Sequence, residues 1–154
     1  MVPSGSRASD PYRLQRFLDA QDRNATFERA VQELQAGLKT SHWMWFVFPQ
    51  IAGLGYSAMS REYAISSLAE ARAYLEHPVL AARLLECAQI VASTQARSAA
   101  EIFGEVDAQK LHSSMTLFSQ AADPTQEVFG QVLDRYFAGS HDGRTDEMLD
   151  QLGT

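Results

Sequence analysis

One cysteine, Cys87, stands in a chain of 154 residues. No internal disulfide can form, and no metal site built from several thiolates is available. Basic residues are also sparse, 13 against 19 acidic ones, and the net charge is −6. They are scattered singly, which argues against wrapping nucleic acid, because such binding rests on neutralised phosphates. The longest apolar run, Trp43 to Phe48, is far too short to span a bilayer, so no membrane role is expected. The opening residues, "MVPSGSRAS", lack the apolar centre of a signal peptide. They predict a disordered leader over 1–9 and a single domain over 10–152, located in the cytoplasm. Metal-binding spacings are missing as well. His42, His77, His112 and His141 never pair at helical spacing, and neither H-E-x-x-H nor a calcium-loop pattern occurs. Neither a metal nor a cofactor is expected.

What the chain does carry is helix signal after helix signal. Asp10-Pro11 can cap a first helix with Leu14, Phe17 and Leu18 inward. Phe27, Val31, Leu34 and Leu38 share one face of a second. Ser67 can cap a helix bearing Leu68, Ala71 and Leu75, and His77-Pro78 starts a longer one with Leu80, Leu84, Cys87 and Val91 inward. A buried, inert thiol is therefore expected at Cys87. Ser98 to Glu101 fits a capping box, and Gly104 sits where a helix would end. Asp107 can cap the next helix, whose apolar face is Leu111, Met115 and Phe118. Asp123-Pro124 opens another that runs through Phe129, Val132, Leu133 and Tyr136 and stops near Gly139. Thr145 caps a last one. No useful period-2 alternation survives. The expected fold class is all-α, a compact domain of about eight short-to-medium helices, possible stacking in pairs included.

Two stretches do not read as plain packing. "WMWFVF", between a capping Ser41 and the helix-ending Pro49, predicts a short helix buried on most sides. Each indole N–H then needs a partner, and His42 and Gln50 flank the run as polar candidates. "GLGYSAMS" follows, where Gly53 and Gly55 permit close backbone approach and Ser57 and Ser60 lie near a helix start. Such a turn either holds an anion or merely joins two helices. The second stretch is "VDAQKLHSSMTLF". Asp107, Lys110 and Ser114 fall on one helical stripe with Ser113 beside it, a pattern that can hold a carboxylate or phosphate. The plainer alternative is a capping Asp107 paired with Lys110, with serines bonded to backbone carbonyls.

These segments, with "VFGQVLDRYFAGSHDGRT", are similar to the signature blocks of a bacterial family of small proteins carrying a domain of unknown function, sometimes labelled calpastatin in error. The resemblance covers roughly residues 10 to 152. It implies an all-helical domain and no established activity, substrate or cofactor. The positions it marks include His42, Trp43, Trp45, Phe48, Pro49, Gln50, Gly53, Gly55, Ser57, Ser60 and Tyr63. It also marks Asp107, Lys110, Ser113, Ser114, Met115, Thr116, Phe118, Asp142 and Thr145. The chain departs from the family pattern at His112, where arginine is more usual, and at Asp146, where leucine is.

The functional expectation is a small-ligand site for a nucleotide-like or other planar anion. Its ligand-binding residues are His42, Trp45, Gln50, Gly53, Gly55, Ser57, Tyr63 and Ser113. In a catalytic version, hydrolysis without a metal, Lys110 would stabilise charge beside Ser114, and Asp107 or His112 would move the proton. The alternative is a helical scaffold that binds a protein or peptide partner. The site requires the two stretches, some 50 residues apart, to meet in space.

Overall fold

The computed structural model describes residues 10–152, so the leader expected over 1–9 lies outside the described residues. The chain forms α1 (Gln15–Asp22), α2 (Thr26–Ala36), α3 (Met44–Val47), α4 (Ala58–Glu62), α5 (Leu68–Glu76), α6 (Pro78–Ser93), α7 (Ala99–Ala121), α8 (Val128–Phe137) and α9 (Gly143–Leu152). A 3-10 turn, Arg23–Ala25, joins α1 to α2. The all-α expectation holds: no strand occurs among the described residues, and the one β-like feature is an isolated parallel bridge between Ile51 and Ile65.

The capping chemistry read from the sequence explains several starts. Ser67 Oγ accepts from Glu70 N (3.1 Å) at α5, and His77 Nδ1 accepts from Val79 N and Leu80 N (3.2 Å each) at α6. Ser98 Oγ accepts from Glu101 N (3.2 Å) at α7. Other boundaries move for physical reasons. Gly37, at φ 77°, ends α2, which leaves Leu38 outside the helix and exposed. Gly104 breaks the helical path with φ 78° and ψ 166°, but the chain resumes helix at once, so α7 runs across it as a kinked element. Asp107 therefore lies inside α7 and caps nothing. Asp123 holds a turn through Thr125 N (2.8 Å), and α8 starts only at Val128. At α9 the cap is Asp142, whose carboxylate accepts from Thr145 N (3.1 Å); Thr145 is inside the helix.

The long helix α7 lies at the centre and packs against α5, α8 and α9, while α6 packs against α2, α5 and α8. Six consecutive residues of α7, 113 to 118, are buried, because neighbours cover the helix on every side there. Leu111, Met115 and Phe118 join one continuous apolar cluster with Phe17, Trp43, Phe48, Tyr74 and Phe129. Cys87 is buried within it, and burial pushes its thiol up to about 12, which leaves it protonated and unreactive at neutral pH.

The aromatic run is shorter as a helix than its apolar length suggests. Only Met44–Val47 is helical, Trp43 is the N-cap position, and Ser41 caps nothing. Trp43 is fully buried between Phe48 and Phe103. Its indole donates to Glu33 Oε1 at 2.8 Å, not to His42 or Gln50. Glu33 also accepts from Thr40 N (2.8 Å), Ser41 N (3.0 Å) and Ser41 Oγ. Partial burial alone would raise this carboxyl, but the bonds from Ser41, Thr40 and Trp43 outweigh it and hold it at about 2, against an ordinary 4.5.

A carboxyl depressed in the folded state contributes stability that is present above its unfolded value and lost as pH falls toward the folded one. Wild-type stability, followed by urea unfolding at a series of pH values, is therefore expected to drop between about pH 4.5 and 2. Glu33→Gln keeps an acceptor for the indole but loses the charge. It is expected to be less stable by about 1–2 kcal/mol at pH 7, with a shallower fall across that window. Equal acid slopes for the two proteins would show that Glu33 does not carry the effect.

Candidate functional site

Residues 51 to 65 form a loop tied at its base. Ala52 N donates to Ile65 O and Ile65 N to Gln50 O, both at 2.8 Å. Within the loop Ser57 caps α4 by accepting from Ser60 N (3.1 Å). Gly53 has φ 99°, and a Cβ there would sit 2.4 Å from Met148 Cε of α9; a Cβ on Gly55 would sit 2.6 Å from Ser60 Oγ. Glycine at both positions thus lets the loop close against its own helix and against α9.

The loop forms one bank of a cleft of about 440 Å³, and α7 and the start of α9 form the other. Trp45, Gln50, Gly55 and Ser57 line it from the first sequence stretch, and Lys110 and Ser113 from the second. The two stretches meet: Lys110 Nζ lies 3.8 Å from the centre of the Trp45 ring, within cation–π range. A smaller cavity of about 160 Å³ adjoins, sharing Trp45, Gln50 and Gly55, and adds Gly53 and Tyr63.

Three sequence-derived assignments are not supported by the geometry. His42 is exposed and lines neither cavity. Ser114 is fully buried, also outside both, and its hydroxyl has no hydrogen-bond partner among the described residues. One residue of helical rotation separates it from Ser113, and at this point of α7 that rotation turns the side chain from cleft to core. Asp107 does not line the cleft either. Its Oδ2 binds Lys39 Nζ (2.8 Å) and its Oδ1 binds Lys110 Nζ (3.0 Å). Burial would raise this carboxyl, yet the two lysines outweigh it and hold it below the ordinary carboxylate range. A carboxylate stabilised in this way is a poor proton acceptor. What it does is fix Lys110, while Lys39 balances its charge, so that the group of three keeps one net positive charge.

Several lining residues had no distinct signal in the sequence. Arg144 reaches the cleft from α9 and donates through Nη2 to Leu54 O at 3.0 Å, a contact across 90 positions. Tyr56 and Val106 stand at the mouth, 81% and 71% exposed. His112, already a proton-carrier candidate from the sequence, does line the cleft, with its ring stacked on Phe137, centroids 4.1 Å apart. Its Nε2 lies 2.8 Å from Ser140 O, which requires a proton on Nε2 and leaves Nδ1 as the nitrogen able to accept one. Asp142 lines the cleft too; the sequence marked it only through the family resemblance and put the cap of the last helix at Thr145 instead.

The sequence matches the model of a protein family of unknown function, DUF1810, over residues 11–149. The fold is similar to the crystal structure of the conserved hypothetical protein Rv1873 from Mycobacterium tuberculosis, with a TM-score of 0.87 and 49% sequence identity. That similarity covers 92% of this chain and 99% of the mycobacterial one. Among curated proteins, none matches. No helix among the described residues is long and apolar enough to cross a membrane. With its family pattern spread over nearly the whole chain and its fold shared with that relative, this chain belongs to the DUF1810 family of proteins of unknown function.

Proposed function

We propose that the cleft binds a small organic anion with a flat ring, of the nucleotide type. The observation that carries this reading is the convergence of Lys110, held over the Trp45 ring, and Arg144 on one cleft. Two cations from different helices suit a phosphate or carboxylate, and Trp45 and Tyr56 supply aromatic surface for a ring. The volume, about 440 Å³, is in the range of small-molecule sites. The reaction class that suits these residues is hydrolysis: Lys110 stabilises negative charge, and His112, through Nδ1, is the proton carrier that lines the cleft.

A second reading rests on Tyr56 and Val106, whose exposure at the mouth also suits a protein or peptide partner. Calorimetric titration with AMP and with inorganic pyrophosphate separates the two. Binding of AMP is expected for wild type, tighter than that of pyrophosphate. Lys110→Ala is expected to weaken it about ten-fold or more, with the melting temperature within a few degrees, since Asp107 keeps Lys39 as a partner. No binding of either probe to wild type would end the small-anion reading and leave the partner surface.

A further inference from the structure

Among the described residues Asp142 is the one carboxylate that lines the cleft with Lys110 and Arg144, and its two oxygens are used unequally. Oδ2 accepts from Ser113 Oγ (3.0 Å), Thr145 N (3.1 Å) and Thr145 Oγ1 (2.6 Å). Asp142 N donates to Thr116 Oγ1 at 2.8 Å, which fixes the backbone as well. Oδ1 accepts no hydrogen bond among the described residues. The side chain is thus locked by α7 and α9 through one oxygen and keeps the other for the cleft. A bare anion gains nothing from a carboxylate in its site, because like charges repel. A ligand that carries hydroxyl groups next to its anionic group gains a great deal, because each hydroxyl donates to the carboxylate in a charge-assisted bond.

Building on the anion site proposed above, we infer that Asp142 reads sugar hydroxyls, and that the ligand class is a sugar phosphate or nucleoside phosphate. The cations take the phosphate, Asp142 Oδ1 takes the hydroxyls, and the aromatic rings take the base or the sugar face. A negative charge in the same cleft as the two positive ones also discriminates against simple polyanions. The same cleft without Asp142 would hold pyrophosphate or a dicarboxylate as readily.

Three probes test this by calorimetry: AMP, 2′,3′-dideoxy-AMP and inorganic phosphate. Wild type is expected to bind AMP about ten- to hundred-fold more tightly than the dideoxy compound. In Asp142→Asn the amide oxygen can keep the cap, and the NH₂ then replaces the free acceptor with a donor. This variant is expected to erase the gap between the two nucleotides while inorganic phosphate binds as well as before or better. The wild-type comparison needs no variant, so a misfolded Asp142→Asn does not rescue the idea. Equal affinities of wild type for AMP and dideoxy-AMP, or a gap that persists in Asp142→Asn, would overturn the hydroxyl reading and leave the anion site standing. Failure of all three probes to bind would remove both.

Discussion

Arg16→Ala is expected to lower the unfolding free energy by about 3–5 kcal/mol, the usual cost of breaking a buried ion pair from one side. Arg16 and Glu70 meet at 3.0 Å with side chains only 10% and 3% exposed. The same guanidinium donates to Glu62 O and Ala64 O at 2.8 Å each, and it lies over the Phe17 ring. Removing it leaves Glu70 charged and buried, with only the backbone N–H and hydroxyl of Ser66 donating to its carboxylate among the described residues. It also frees the carbonyls that pin the far end of the loop at 62–64, whose earlier part carries Gly55 and Ser57 into the cleft. Ligand binding is therefore expected to weaken together with stability, although Arg16 does not line the cleft. Urea unfolding gives the first quantity, and a double variant with Glu70→Leu sharpens it. The pair replaced by apolar groups is expected to recover part of the loss, because the uncompensated charge is then gone. A cost below about 1 kcal/mol for Arg16→Ala would place this pair with exposed ones, whose contribution is small.

The largest expected effect on binding is that of Lys110→Ala combined with Arg144→Ala. On the proposed anion reading each cation would supply a charge-assisted contact that stabilises binding by about 1.5–3 kcal/mol, so the double variant is expected to bind AMP at least about a hundred-fold more weakly than wild type. Its fold is expected to survive. Arg144 is exposed on α9 with one bond to Leu54 O, and Asp107 keeps Lys39. The measurement is calorimetric titration of wild type, both single variants and the double variant at two salt concentrations. Wild-type affinity is expected to fall with salt and the double variant's to depend on it little, since screening acts on the charges that were removed. Iodide quenching adds a local readout. Trp43 is buried and Trp45 half-buried, so quenching reports on Trp45, and AMP is expected to protect it. An affinity for AMP that survives in the double variant would mean that the nucleotide binds elsewhere.

Helices were legible in the sequence because their causes are local. Ser67, His77 and Ser98 satisfy backbone N–H groups two or three residues away, and apolar spacing marks the faces that α5, α6 and α8 bury. Where an assignment depended on distant neighbours, the sequence could mislead. Trp43 donates its indole N–H to Glu33 on α2 and not to the adjacent polar residues. Asp107 looked like a cap because Gly104 looked like a helix end. Ser114 looked like a partner of Lys110 because helical spacing says which side chains share a face and not whether that face meets solvent.

The candidate site divides in the same way. By itself the sequence determined an all-helical chain, an inert Cys87, and two stretches of unusual polarity, all of them consequences of spacing, capping and side-chain chemistry within a few residues. Only the tertiary structure decided that those stretches meet at Trp45 and Lys110, that Arg144 and Asp142 join them from α9, and that Asp107 is neutralised by Lys39. These are contacts between positions up to 90 apart, set by how α7 is covered by its neighbours, and no local pattern encodes them.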